Sequence, residues 1–188
     1  MSGFIFILIL AVLLGVGLAV IFNLLVKRRQ LVNNGWADID VQLKRRSDLI
    51  PKLVATVKAY ASHERQLFAD ITEKRSAALA AGEDPTARGR AESELSRPVA
   101  KIIAVAEDYP ELKASGNFLD LQNELSETED KIEMARRFYN GAVRELNTFV
   151  ESVPVNLVAA PFGFSKRDYF EIETAERAVP SVALDSNS

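Results

Sequence analysis

The sequence predicts an all-α fold: an N-terminal transmembrane helix, then an antiparallel three-helix bundle, with an irregular C-terminal tail packed on the bundle. Three observations predict it. Residues 4–26 form an uncharged apolar run. Beyond it, apolar residues recur at alternating three- and four-residue spacings, the stripe of helices that pack on one another. Gly/Pro breaks then cut that region into segments of helical length. Of 188 residues, those left after the anchor suit one compact domain, expected over residues 27–172, and the small polar composition of residues 173–188 predicts a disordered tail.

The apolar run has 23 residues and one strongly polar side chain, Asn23. At about 1.5 Å per residue it spans a hydrocarbon core of roughly 30 Å. Phe4, Leu10, Leu14, Leu18, Phe22 and Val26 are the expected membrane-anchor residues. A cleaved signal peptide would have positive charge ahead of a shorter apolar stretch, but Met1-Ser2-Gly3 is uncharged. Lys27, Arg28 and Arg29 follow the run at once. The positive-inside bias therefore predicts a single-pass protein with its N-terminus outside and its C-terminal domain cytoplasmic. Ala11, Gly15 and Ala19 share one face, either a close helix-packing surface in the membrane or ordinary small residues facing lipid.

Past the basic triplet, Val32, Trp36, Ile39, Leu43, Ile50, Leu53, Val57, Tyr60, Leu67, Ile71 and Ala78 mark a first long helix, interrupted only at Arg46, Glu64 and Lys74. Pro51 is expected to kink it without ending it, because the stripe continues in phase. No Gly or Pro separates Val26 from Leu31, so the anchor is expected to run straight on. Asp84 and Pro85 suit the N-cap and first position of a second helix reaching about Asp108. Its stripe is Ala87, Ala91, Leu95, Ile102 and Val105 or Ala106, with irregular backbone expected around Pro98. The third helix carries Phe118, Leu121, Leu125, Thr128, Ile132, Ala135, Tyr139, Ala142, Leu146, Phe149 and Val153, with Asn117 as its expected cap and Pro154 as its end. The tail from Val155 is too apolar for a linker and too irregular for a helix, and is expected to fold back on the bundle.

Net charge is −3, which argues against a general nucleic-acid partner. Between Lys27 and Arg75 eleven bases face six acids, and between Glu107 and Glu133 nine acids face two bases. These faces pair across the bundle, or Lys27, Arg28 and Arg29 contact anionic headgroups, each contributing about 1 kcal/mol; both readings hold for different residues without conflict. The absence of cysteine excludes disulfides, thiol nucleophiles and iron–sulfur clusters. His63 has no second histidine to work with. Asp120, Glu124, Glu127, Asp130 and Glu133 step by three and four residues, as a solvated helix face does, and no Glu-x-x-His pair joins them. No phosphate-binding glycine loop is present. The expectation is a protein without a cofactor, metal, small-molecule substrate or catalytic residues.

Two ordered stretches carry a family resemblance. Trp36-Ala37-Asp38-Ile39-Asp40-Val41-Gln42-Leu43-Lys44-Arg45-Arg46, continuing through Asp48-Leu49-Ile50-Pro51-Lys52-Leu53-Val54 to Tyr60 and His63-Glu64, resembles the opening signature of the LemA family. Tyr109-Pro110-Glu111-Leu112-Lys113-Ala114, then Phe118, Leu121, Leu125, Thr128-Glu129, Ile132, Arg136, Tyr139-Asn140 and Pro154, resembles its second half. The resemblance implies a bacterial cytoplasmic (inner) membrane protein with an outward N-terminus, a cytoplasmic antiparallel helical bundle and no established enzymatic activity. A relative takes part in forming intracellular magnetic-organelle membranes. Trp36, Ile39, Pro51, Thr128, Tyr139 and Asn140 then read as fold determinants, the polar ones needing buried partners. The partners expected are the lipid bilayer and a second copy of the chain, another membrane protein, or both.

Overall fold

The computed structural model describes residues 2–172; the disordered tail expected over residues 173–188 lies outside the described residues. Among the described residues all regular structure is helical: α1 (Ser2–Lys58), α2 (Arg65–Ala80), α3 (Pro85–Glu107), α4 (Pro110–Lys113), α5 (Gly116–Glu151) and α6 (Val155–Ala159). Of these, α1 alone is long and apolar enough over part of its length to cross a membrane. It runs without interruption from the apolar segment through the basic triplet and past Pro51, so no hinge separates the expected anchor from the first core helix.

The described chain divides into two compact units, residues 2–48 with 123–170 and residues 49–122 with 171–172. In the first unit, α1 and α5 are antiparallel neighbours. As α1 advances from Arg28 to Trp36 to Arg46, its partners on α5 retreat from Glu145 to Tyr139 to Glu129. Val32, Ile39 and Leu43 of α1 and Leu125, Thr128, Ile132, Tyr139, Ala142 and Leu146 of α5 are buried, as the three-four spacing predicts, and Val143, outside that stripe, is buried with them. Gly35 permits a close approach of the two helices: a Cβ there would meet the Tyr139 Cα at 3.0 Å and the Phe138 ring at 3.1 Å. The stripe's gap at Arg46 is filled by the arginine itself, which is 1% exposed and donates to Glu129 at 2.8 Å.

In the second unit, α2 and α3 form an antiparallel hairpin, tied by Lys74 to Glu94 at 2.8 Å. The stripe expected to continue as one helix to Ala78 is broken by a turn at residues 59–64. Ala61 N–H bonds the Val57 carbonyl and Glu64 N–H bonds that of Ala61. The turn advances the buried phase by one residue: Ala61 is buried and Tyr60 exposed, Phe68 buried and Leu67 half-buried, before Ile71 and Ala78 return to phase. Heptad spacing reports which side chains face inward, and a one-residue slip over a short turn hides within its tolerance.

The second expected helix starts as predicted, with the Asp84 carboxylate accepting from the Ala87 N–H at 2.6 Å and Pro85 in the first position. Two details differ. The helix stays continuous through Pro98, which is buried. Its N-terminal half turns Arg88, Gly89, Glu92 and Ser93 inward rather than Ala87 and Ala91. Arg88 pairs with Glu92 one turn on at 3.1 Å, so two charges are buried together, and Gly89 gives the close approach that the Glu171 backbone requires. A correction also applies to Asn117: α5 starts at Gly116, so Asn117 lies inside the helix, while the Ser115 carbonyl accepts from the N–H groups of Phe118 and Leu119. Pro154 does follow the end of α5, whereas Val153, expected in the buried stripe, is 79% exposed.

Candidate membrane-proximal site

The site is built where the apolar run of α1 gives way to the basic triplet. Leu25 is fully buried there by Val155 and Ala159 of α6 and by Phe164 beyond it, with Ile21, Val26, Phe149 and Val150 packed around them. Phe22 meets Phe162 and Phe164 edge-on, with ring centroids at 5.5 Å and 5.6 Å, a favoured aromatic geometry. The tail, expected to be too irregular for helix, thus contains one helical turn and closes a cuff around the end of the apolar run. Val155 and Ala159 are four residues apart and share the inward face of α6. The turn after α6 ends on Gly163 at φ 71°, with Phe164 N–H bonding the Ala159 carbonyl and Gly163 N–H that of Ala160. This is a Schellman closure, in which glycine takes the left-handed conformation.

From the cuff, the chain runs extended along α5 toward its N-terminus, held by side chains standing in for backbone partners. Asn147 exchanges two hydrogen bonds with Arg167, at 2.9 Å and 2.8 Å. Asn140, one heptad earlier, does the same with Phe170, at 3.0 Å and 2.9 Å, and the Tyr139 hydroxyl donates to the Asp168 carbonyl at 2.9 Å. Phe170 is fully buried and stacks edge-on against Trp36. An extended segment without a sheet partner must satisfy its backbone in this way.

The expected site residues are therefore placed as follows. Phe4, Leu10, Leu14 and Leu18 are exposed, and Ala11, Gly15 and Ala19 are exposed on one face of α1. Phe22 and Val26 face the cuff. Arg28 bonds Glu145 at 2.9 Å and lies over the Phe149 ring at 4.8 Å; Arg29 lies over the Phe164 ring at 4.7 Å, cation–π contacts that brace the cuff. Lys27 is exposed. Trp36, Tyr139 and Asn140 come together around Phe170, Ile39 is in the core, and the buried Thr128 hydroxyl donates to the Glu124 carbonyl at 2.7 Å. Pro51 is exposed within α1, in the other unit. Asn147 and Leu25 belong to the site without having been singled out from the sequence: Asn147 lies one heptad after Asn140, and Leu25 is one apolar residue among many in the run of residues 4–26. The carboxylate row of α5 is spent partly on ion pairs along its own helix, Glu127 with Lys131 and Glu133 with Arg137. The Lys131 ammonium, by hydrogen bond and charge, and then Arg45 hold Glu127 below the usual carboxylate range.

Fold and site together define an all-α protein with an N-terminal apolar helix that continues into its packed core. The chain belongs to the LemA family, whose model matches residues 35–184. It is similar to Magnetosome protein MamQ 2 of Paramagnetospirillum magneticum (strain ATCC 700264 / AMB-1), 24% identical over 164 residues covering 74% of this chain and 60% of that relative. It is also similar to Protein LemA of Metamycoplasma hominis, 26% identical over 155 residues covering 82% of this chain and 71% of the relative. The chain spans about three fifths of the length of the MamQ relative.

Proposed function

We propose that this protein is a single-pass, non-enzymatic scaffold of the bacterial cytoplasmic membrane. In this reading α1 spans the bilayer, the Lys27-Arg28-Arg29 triplet keeps the helical domain on the cytoplasmic side, and the domain recruits another membrane protein or a second copy. The observation that carries it is the continuity of α1 from the apolar run into the core. A partner bound in the membrane along Ala11, Gly15 and Ala19 thereby acquires a fixed relation to the α1 residues that follow. Crosslinking in intact membranes followed by mass spectrometry tests the proposal. Defined crosslinks to a neighbour or to another copy are expected, and recovery of monomer alone overturns it.

The name of the MamQ relatives, magnetosome proteins, favours a second reading in which many copies assemble to organise or shape the membrane. Electron microscopy of the full chain in liposomes separates the two. A lattice or reshaped vesicles support membrane organisation; unchanged vesicles with specific crosslinks support the scaffold.

A further inference from the structure

Residues 153–164, Val-Pro-Val-Asn-Leu-Val-Ala-Ala-Pro-Phe-Gly-Phe, carry no charge in a chain that is 26% charged. Their apolar side chains divide in two. Val155, Ala159 and Phe164 close over Leu25, whereas Val153, Leu157 and Phe162 are 79%, 73% and 55% exposed. Single exposed apolar residues are ordinary, but a cluster of large ones unrelieved by charge marks an interaction surface.

Its place in the fold identifies the partner. Phe162 packs on Phe22, which fixes it level with the end of the apolar run. Residues 4–22 at about 1.5 Å each cover about 28 Å, close to the hydrocarbon thickness of roughly 30 Å. Phe162 therefore stands at the boundary between hydrocarbon and headgroups, continuous with the lipid-facing surface of α1. Arg167, exposed, follows within five residues, as bases do where an apolar element meets anionic headgroups; Lys166 beside it is paired with Glu151 at 2.7 Å.

We infer that the 153–164 turn is a second membrane contact, an apolar wedge whose Leu157 and Phe162 insert beside the anchor into the interfacial layer of the bilayer. This rests on the reading of α1 as membrane-spanning. The inward half of the turn grips Leu25 and the outward half enters lipid, so the cuff seals the point where α1 leaves the hydrocarbon.

The chain has no cysteine, so single spin-labelled cysteines report cleanly in the full chain reconstituted into phosphatidylcholine/phosphatidylglycerol liposomes. Leu157→Cys and Phe162→Cys are the test positions, Leu14→Cys the bilayer control, and Met134→Cys, exposed on α5, the aqueous control. The expected result is a collision ratio of oxygen to nickel chelate several-fold higher at 157 and 162 than at 134, and below that at 14, which lies mid-span. Aqueous ratios at 157 and 162 with a lipid-like ratio at 14 overturn the wedge and leave the anchor standing. An aqueous ratio at 14 as well overturns the spanning reading and the wedge with it. Labels at 157 and 162 shielded from both reagents and broadened by a neighbouring label place a second copy on this surface, which also overturns the inference.

Discussion

The Asn140 side chain and the Phe170 backbone exchange two hydrogen bonds, Phe170 N–H to Oδ1 at 2.9 Å and Nδ2–H to the Phe170 carbonyl at 3.0 Å. One amide thus does for an extended segment what a neighbouring strand does in a sheet. Asn140→Ala leaves both backbone groups beside a buried phenylalanine without these partners and is expected to cost about 1–3 kcal/mol. Asn140→Asp keeps the bond from the Phe170 N–H but sets a carboxylate oxygen, an acceptor only, against the Phe170 carbonyl; its cost is expected to fall as pH is lowered and the protonated carboxyl can donate to that carbonyl. Because Asn147 holds the same segment, the double alanine variant should depart from additivity. Denaturant titration of the four proteins measures the coupling, and strictly additive losses would count against a shared strap.

Arg46 and Glu129 make the opposite kind of pair, one partner buried and the other with 45% of its side chain exposed. Arg46→Met keeps the volume and removes the buried charge, so stability is expected to change by less than about 1.5 kcal/mol or to rise. Glu129→Ala takes away the carboxylate and leaves the guanidinium in the core, with an expected cost of about 1–3 kcal/mol. The discriminating measurement is the order of melting temperatures, Arg46→Met above Glu129→Ala.

Gly89 sets two effects against each other. Alanine in place of an interior helical glycine is favourable by about 1 kcal/mol, but a Cβ here overlaps the Glu171 carbonyl oxygen. Backbone yields less readily than a flexible side chain, and overpacking of this sort costs about 1–3 kcal/mol. Gly89→Ala is therefore expected to destabilise. Gly141, also helical and with nothing within 4 Å, should show the propensity gain alone. A thermal melt of the two variants side by side gives the comparison.

The Lys74–Glu94 bridge predicts a pH signature in the α2–α3 hairpin. Hydrogen bonding and charge from Lys74 hold Glu94 below its ordinary value of 4.5, and Glu94 holds Lys74 above 10.5. The carboxylate's contribution is present above the unfolded glutamate range and is lost as pH falls through its lowered folded value. The ammonium's is present below the unfolded lysine range and is lost as pH rises through its raised one. Carboxyl NMR titration should place Glu94 below an ordinary glutamate, and Lys74→Met should return it upward.

Legibility in the sequence followed the physics of each element. The start of α3 was readable because a cap and a proline act locally, and the core face of α5 because its spacing holds over many turns. Elements whose burial depends on distant chain were not. Arg88 and Glu92 look like a solvent-facing pair until α3 turns inward; Leu25 looks lipid-facing until α6, 130 residues later, covers it. Arg46 interrupted the expected stripe, yet it occupies the stripe's own register as a paired charge. Tyr139 and Asn140 were legible as polar groups needing partners, but those partners are backbone atoms of the tail, and backbone leaves no mark on a residue pattern.

The unbroken course of α1 carries a consequence for geometry about its own axis. Each residue of an α-helix turns the chain by about 100°. The face bearing Ala11, Gly15 and Ala19 and the side chains Val32, Ile39 and Leu43 are therefore locked at one azimuth, like two gears cut on a single shaft. Adding or deleting one residue between Val26 and Val32 would preserve the apolar run and the helix while rotating one set against the other by more than a quarter turn.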